Sequence, residues 1–280
     1  VLGVMRYRRL EDAISIVNAT GYGLTSGLES LDHREQELWR STIRAGNLYI
    51  NRPTTGAIVL RQPFGGVGSS AYGPGVKAGG PHYVIPLSHV QDSGSTERAS
   101  QESISHPNDA AATTGSPVSV HLLATLESVS DLDHQESVRI RQAIASQLHA
   151  MRDEFDQSHD HFQLEGQDNL RRYLPVQQLR IRIGEEGTRA DSFIATSAAL
   201  IAGCRTTVSY SSASDAKAVT MLDQLADLLP GRLEMLPETD SDLALSIREG
   251  HVDRLRLLGP RDFHQEVHSA SVDAFVSVIA

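Results

Sequence analysis

Cysteine, tryptophan and long apolar runs are scarce in this sequence of 280 residues. Its single cysteine, Cys204, excludes an internal disulfide framework and favours a reducing compartment, so we predict a cytoplasmic protein. No apolar run approaches the roughly 20 residues that a helix needs to cross a bilayer. We therefore predict no transmembrane segment.

Basic charge is scarce in the second half of the chain. Residues 1–89 hold nine basic and six acidic side chains, a net charge of +3. Residues 90–280 hold sixteen and twenty-nine, a net charge of −13. Phosphate contacts need a basic surface, so we predict no nucleic-acid partner. The change of sign indicates two segments of different origin.

The composition divides the chain into three parts. Residues 1–89 show short strand and helix patterns and form the first part. Residues 90–118 are rich in small and polar side chains, and they bury too little apolar surface to offset chain entropy. We predict that they form a flexible linker. Residues 119–280 form a second domain.

Apolar periodicity predicts the elements of both domains. In the first, strands are predicted at residues 1–7 and 48–51, with helices over 10–18 and 32–43. In the second, a long amphipathic helix over 136–155 precedes five strands that alternate with four helices. Such alternation predicts an α/β fold with right-handed crossovers around a parallel, Rossmann-like sheet.

Little in the second domain predicts chemistry. Cys204 lies at a helix–strand junction among apolar residues, so we interpret it as a buried structural cysteine. No Gly-X-Gly-X-X-Gly turn occurs in this half. His149, His159 and His161 lie among aspartates, but histidines at a polar helix end are more often solvated, and we predict no metal site.

The most informative stretch is Asn47–Gly66, in which a short strand stops at Arg52-Pro53 and two glycine-containing turns follow. Glycine and proline mark positions where backbone closely approaches another group. One such group is an anion held by backbone N–H donors. The composition by itself also fits an ordinary glycine-rich connection.

The strings Asn-Arg-Pro-Thr-Thr-Gly-Ala-Ile-Val at 51–59 and Gln-Pro-Phe-Gly-Gly at 62–66 resemble the C-terminal catalytic segment of aldehyde dehydrogenases. The similarity is to the L-glutamate γ-semialdehyde (Δ1-pyrroline-5-carboxylate) dehydrogenases of proline breakdown, and it covers residues 1–84. It implies an NAD-dependent enzyme with glutamate γ-semialdehyde as its small-molecule substrate. It also implies that Gly56 and Ala57 anchor the substrate carboxylate and that Phe64 flanks its aliphatic chain.

The same resemblance implies that the chain contains no catalytic residue. In that family the nucleophilic cysteine and the general base lie upstream of this segment. We therefore expect the chain to be the C-terminal part of a longer enzyme and inactive alone. Its tail at residues 81–90 resembles a region near an oligomerisation strand, which predicts a homo-oligomer. The alternative is a non-catalytic structural or oligomerisation module.

The second domain has a weaker resemblance of its own. Residues 161–176 and 198–208 are similar to a degenerate, aldehyde-dehydrogenase-like domain of long proline-catabolic dehydrogenases. The family holds the adenosine ribose with a lysine, which Val208-Ser209-Tyr210 lacks. The resemblance therefore implies an accessory domain that does not bind NAD. It leaves open a fusion to proline dehydrogenase and the choice between NAD and NADP.

Overall fold

The chain divides into two compact units in the computed structural model, which describes residues 2–55, 62–71, 76–88, 117–259 and 265–279. Unit 1 comprises residues 1–89 together with 159–171, and unit 2 comprises residues 90–158 together with 172–280. Residues 159–171, placed in the second domain from sequence, thus cluster with the first part of the chain. Most of the predicted linker lies outside the described residues, and its last two, Pro117 and Val118, begin a helix.

Within its described residues, unit 1 contains two α-helices and two pairs of short strands. Strand β2 pairs in parallel with β3, with Thr25 opposite Asn47, and β1 pairs antiparallel with β4. The predicted strand at residues 1–7 is wrong, because none of the described residues pairs with residues 2–7. The elements are α1 (Leu10–Asn18), β1 (Tyr22–Gly23), β2 (Thr25–Leu28), α2 (His33–Thr42), β3 (Asn47–Ile50), β4 (Val67–Gly68) and a 3-10 turn at Ile85–Leu87.

The core of unit 1 lies between its helices and the β2–β3 pair. Ile14 from α1 and Trp39 from α2 are 5% and 3% exposed and pack in one cluster with Leu28. Asp32 begins α2, since its side chain accepts a hydrogen bond from the Arg34 N–H at 2.8 Å. The prediction of helix α1 over residues 10–18 is confirmed.

Unit 2 is built from six helices and five strands within its described residues. Its elements are α3 (Pro117–Ser128), α4 (His134–Ala150), which continues as a π turn (Met151–Phe155), β5 (Leu179–Ile183), α5 (Arg189–Ile201), β6 (Thr206–Tyr210), α6 (Ala216–Leu228), β7 (Leu233–Pro237), α7 (Asp240–Arg248), β8 (Arg254–Leu258), α8 (Gln265–Asp273) and β9 (Ser277–Ile279).

The five strands form one parallel sheet in the order β7-β6-β5-β8-β9, which confirms the predicted α/β fold. The chain therefore runs outward from β5 to one edge, returns to β8, and continues to the other edge. Helices α3 to α6 share a core with one face of β5 and β6, through residues such as Ile181 and Val208. Helices α7 and α8 cover Leu255 and Leu257 on the opposite face of β8.

The central strand β5 carries buried arginines between its isoleucines. Its side chains alternate, so Ile181 and Ile183 enter the apolar core and Arg180 and Arg182 lie on the other face. Arg180 pairs with Glu238 at 2.6 Å, and these two side chains are 7% and 4% exposed. Arg182 donates to Asp240 at 2.7 Å. These pairs join the middle of the sheet to the β7–α7 connection.

Candidate functional site

The segment that the sequence analysis assigned to the substrate carboxylate is described only at its two flanks. Gly56 and Ala57 lie outside the described residues. On one flank, Arg52 follows β3 and its guanidinium stands 5.5 Å from the ring centre of Tyr49. On the other, Gln62 donates to the Tyr49 hydroxyl at 2.7 Å. Tyr49, which is 2% exposed, therefore contacts both flanks.

Phe64, the third predicted substrate residue, is half-buried and pairs with Ala78 through the backbone. The Phe64 N–H donates to the Ala78 carbonyl and the Ala78 N–H donates back, both at 3.0 Å. This two-way pairing gives Phe64 a defined backbone position in unit 1. Its role beside a substrate stays a prediction.

The turn that follows Phe64 is held by residues that the sequence analysis did not single out. The Asn47 side-chain amide donates to the carbonyls of Leu24 and Gly65 at 2.9 and 3.0 Å. The Lys77 ammonium donates to the Gly46 carbonyl, and burial lowers the pKa of this lysine. From the sequence, Asn47 was only the first residue of the Asn47–Gly66 stretch, just before the strand predicted at 48–51. Its polarity at a buried strand position was the signal that could have indicated a side-chain role.

Cys204 lies inside unit 2 and is 6% exposed. Burial raises the pKa of its thiol, chiefly by desolvating the thiolate. A nucleophilic cysteine needs the opposite shift, because the thiolate is the reactive form. Its environment therefore fits the structural interpretation made from the sequence.

The position at which a nucleotide would bind in a doubly wound sheet is the carboxyl end of β5 and β8. Here Gly184 and Gly187 follow β5, and Gly259 follows β8. A Cβ atom on Gly184 would stand 2.8 Å from the Leu258 carbonyl oxygen. Gly259 has φ +126°, which favours glycine. These glycines permit the two loops to pack on each other. This packing is sufficient to account for glycine at these positions, and no ligand is needed to explain it.

The charges beside this crevice do not fit a dinucleotide. The β5–α5 turn carries the negative side chains of Glu185 and Glu186 where a pyrophosphate would approach. The adjoining depression is lined by six carboxylates and only two basic side chains. Its lining residues include Asp131, Asp133, Glu136, Glu185, Glu186, Asp215, Arg189 and Lys217.

Both of those cations are already paired. Arg189 contacts Asp131 at 2.8 Å and Glu136 at 2.6 Å, and Lys217 contacts Asp131 at 2.7 Å. Hydrogen bonds from Lys217 and Arg189 hold the pKa of Asp131 below its usual value. The Thr188 side chain, moreover, accepts a hydrogen bond from Asp191 N–H and so occupies the first turn of α5. Both basic side chains and one N–H group of the first turn of α5 are thus engaged within the unit.

Neither a metal cluster nor a membrane-spanning helix is found in the described part of the chain. There, no group of three histidine, cysteine, aspartate or glutamate side chains is arranged to hold a metal ion. His149 instead contacts Asp153 at 3.2 Å, and His159 stacks on His161 with ring centres 5.6 Å apart. The helices of the described ranges are too short or too polar to cross a membrane.

Comparison with known proteins bears on the first part of the chain. The sequence model of the aldehyde dehydrogenase family matches residues 1–91. This range contains both turns of the Asn47–Gly66 stretch and the residues around Phe64. The first 91 residues therefore match the aldehyde dehydrogenase family, a family of oxidoreductases, and the resemblance found in the sequence is confirmed over this range.

Two curated relatives and one solved structure are similar to this chain over only part of their own length. The bifunctional protein PutA of Rhizobium meliloti is 56% identical over 87 residues, which are 30% of this chain and 7% of that protein. The 1-pyrroline-5-carboxylate dehydrogenase of Geobacillus thermodenitrificans (strain NG80-2) is 45% identical over 85 residues, 30% of this chain and 16% of that protein. The structure of proline utilization A (PutA) from Corynebacterium freiburgense aligns with 99% of this chain and 22% of its own, with a TM-score of 0.58 and 27% identity.

Proposed function

We propose that this chain is the C-terminal part of an NAD-dependent L-glutamate γ-semialdehyde dehydrogenase of proline catabolism. The observation that carries the proposal is the family match over residues 1–91, which includes the strings at 51–59 and 62–66. Relatives named PutA and 1-pyrroline-5-carboxylate dehydrogenase support the substrate. The alignment of nearly the whole chain with a PutA structure supports placing both units in such an enzyme.

The residues of this chain bind and orient the substrate in this proposal. Glutamate γ-semialdehyde carries an aldehyde at one end and an α-carboxylate at the other. Backbone N–H groups of Gly56 and Ala57 donate to the carboxylate, since such donors bind an anion without competing as nucleophiles. Phe64 flanks the aliphatic chain between the two ends. Tyr49, which contacts both Arg52 and Gln62, supports the two flanks of the carboxylate loop.

NAD supplies the hydride acceptor when it is bound. Its site, the nucleophilic cysteine and the general base are assigned to the part of the enzyme that precedes this chain. The crevice of unit 2 does not serve as that site, because Glu185 and Glu186 occupy its turn and Arg189 and Lys217 are engaged with carboxylates. We assign residues 119–280 to an accessory, non-catalytic domain, joined through the linker at 90–118 to the part of the catalytic domain in residues 1–89.

A homo-oligomer and a fusion to proline dehydrogenase are the remaining parts of the proposal. Apolar side chains are exposed near the end of the first part of the chain, where an oligomerisation contact is expected: Tyr83 is 48%, Val84 62%, Ile85 53% and Leu87 80% exposed. The relatives described as bifunctional support the fusion. Sequencing the frame upstream of Val1 tests the fusion directly.

The decisive experiment expresses the complete reading frame that contains this chain. We expect the purified enzyme to oxidise L-glutamate γ-semialdehyde with NAD, and to do so with a higher kcat/KM than it shows for a carboxylate-free aldehyde of similar length. NADP is assayed in parallel. An enzyme that oxidises no aldehyde, or that shows no preference for the carboxylate-bearing substrate, would contradict the proposed function.

A further inference from the structure

Backbone segments meet in unusually close contact where the chain turns after Phe64. A Cβ atom on Gly46 would overlap the Gly65 carbonyl and stand 2.9 Å from the Gly66 Cα. A Cβ atom on Gly66 would overlap the Ser70 backbone. Side chains are thus excluded from this contact, and the position of the turn Phe64–Gly66 depends on groups that reach it from outside.

Asn47 is one of those groups. It is 5% exposed, and its amide nitrogen donates one hydrogen to Leu24 and the other to Gly65. Both neighbours are carbonyl oxygens, so only the nitrogen of the amide satisfies them. Because Asn47 also donates its backbone N–H to Leu24 at 3.0 Å, the residue is fixed to the start of β2 and connects that strand to the turn.

Lys77 is the second of those groups. Its ammonium donates to the Gly46 carbonyl, next to Asn47 in the chain. Its stem lies against Gly65, since a Cβ atom on that glycine would stand 3.1 Å from the Lys77 Cγ. Lys77 directly precedes Ala78, whose backbone pairs with Phe64. The lysine therefore connects Gly46, the glycine turn and the backbone partner of Phe64.

We propose that Asn47 and Lys77 are positioning residues that set where Phe64 stands against the aliphatic chain of the substrate. This inference rests on the proposed function, in which Phe64 contacts the substrate. Neither residue acts on the reacting atoms: each acts on the backbone of Gly46 or Gly65. Together they restrain the turn without adding a side chain to the close backbone contact.

The test replaces Asn47 by aspartate in the enzyme from the complete reading frame. The variant Asn47→Asp keeps the shape of the side chain but sets a carboxylate oxygen against two carbonyl oxygens. The turn is repelled, and Phe64 moves with it. We expect kcat/KM for glutamate γ-semialdehyde to fall by about tenfold or more, chiefly through a higher KM, because small misplacements of positioning groups have effects of this size. Acetaldehyde is too short to reach Phe64, so kcat/KM for acetaldehyde should change by less than about twofold.

A second variant and a matched control complete the test. Lys77→Met keeps the apolar stem and removes the ammonium, so we expect the same pattern with a loss of about tenfold for the longer substrate. Asn18→Asp is the control. Asn18 also bridges two backbone groups of unit 1, donating to Thr42 at 3.0 Å and accepting from Arg44 at 2.8 Å, and neither contact involves the turn. For both aldehydes, the kcat/KM of this control variant should stay within about twofold of the wild-type value.

The outcomes separate this inference from the proposed function. A wild-type enzyme that does not oxidise glutamate γ-semialdehyde would overturn both. The positioning role alone would be overturned if the wild type prefers this substrate but Asn47→Asp lowers kcat/KM equally for both aldehydes, or for neither. If Asn47→Asp does not fold, Lys77→Met decides by the same comparison of the two aldehydes.

Discussion

At the residue scale, the buried pair of Arg180 and Glu238 shows what burial does to an ion pair. Both side chains are less than one-tenth exposed, and their atoms are 2.6 Å apart. Desolvation opposes the burial of each charge, and the attraction between them offsets that cost only while both are present. Removing one partner therefore costs more stability than the intact pair contributes.

Removing one charge of that pair should destabilise unit 2 strongly. We expect Glu238→Gln to lower the free energy of unfolding by about 3–5 kcal/mol, because Arg180 then stays buried without its counter-charge. Urea unfolding followed by circular dichroism measures the change. The double variant Arg180→Met with Glu238→Leu should recover most of the loss.

The control for this prediction is an exposed pair of the same chemistry. Arg139 contacts Asp191 at 2.6 Å, with side chains 58% and 42% exposed. Arg139→Met should cost about 0–1 kcal/mol, since solvent screens such pairs. Equal effects at the exposed and buried sites would show that burial does not control the strength of these interactions.

Gly56→Val, also at the residue scale, tests the carboxylate anchor in the complete enzyme. A β-branched side chain restricts the backbone there and misplaces the N–H donors. Charge-assisted hydrogen bonds worth roughly 1.5–3 kcal/mol correspond to a loss of roughly 10- to 150-fold in kcat/KM for glutamate γ-semialdehyde. For a carboxylate-free aldehyde of similar length, kcat/KM should fall much less. An equal loss for both would assign Gly56 to the fold alone.

At the element scale, helix α7 illustrates how local signals define a boundary. The Thr239 side chain accepts from the Asp242 N–H at 3.2 Å, and the Asp242 carboxylate accepts from the Thr239 N–H at 3.0 Å. Such a reciprocal cap satisfies two N–H groups that the first turn leaves without helical partners. The helix is one of the four that the alternation in the second domain predicts, and it spans Asp240–Arg248.

Removal of this cap should loosen α7 without unfolding the chain. Thr239→Ala should lower the local opening free energy by about 1 kcal/mol, which speeds hydrogen exchange of the α7 amides by about fivefold. Thr220→Ala, inside α6, is the matched control, because the Thr220 hydroxyl only donates back to the Ala216 carbonyl. Exchange that is unchanged in α7 of Thr239→Ala would show that the cap does not limit local opening.

At the scale of the whole molecule, the two units differ in what their chemistry permits. Unit 1 contains the family segment with its predicted substrate residues. Unit 2 has the sheet order of a nucleotide-binding fold, but the depression beside its crevice is lined mainly by carboxylates. A fold of this kind does not imply a cofactor, because binding depends on the groups in the crevice.

We expect the 280-residue chain not to bind NAD appreciably. The carboxylates of Glu185 and Glu186 repel a pyrophosphate, and the neighbouring cations are already paired. Isothermal titration calorimetry of the chain with NAD measures this. A dissociation constant near about 1 μM, equivalent to about −8 kcal/mol, would show that the crevice is a working nucleotide site.

The isolated chain should also be unable to oxidise glutamate γ-semialdehyde with NAD. Cys204 is its only thiol, and burial raises the pKa of that thiol. NADH formation by the purified chain, compared with the variant Cys204→Ser, provides the measurement. Turnover that Cys204→Ser abolishes would assign a catalytic role to this cysteine.

Much of the element content was predictable because it depends on local patterns. Helix α1 appears at residues 10–18, as its periodicity predicted, and the second domain shows the predicted alternation of five strands with four helices. The predicted strand at 1–7 failed, since a strand needs a partner that local pattern does not reveal. The helix predicted to run to Phe155 changes to a π turn at Met151, a change that its apolar spacing did not indicate.

The sequence by itself determined the family of the first 91 residues, the parallel α/β character of the second half and the absence of a glycine-rich phosphate turn there. These follow from short strings and periodicity, which neighbouring residues in the chain define. Only the tertiary structure decided that residues 159–171 cluster with unit 1, that Arg180 is buried against Glu238, and that Asn47 and Lys77 hold the turn after Phe64. These contacts join residues far apart in the chain, and their energies depend on burial and distance, which no local pattern specifies.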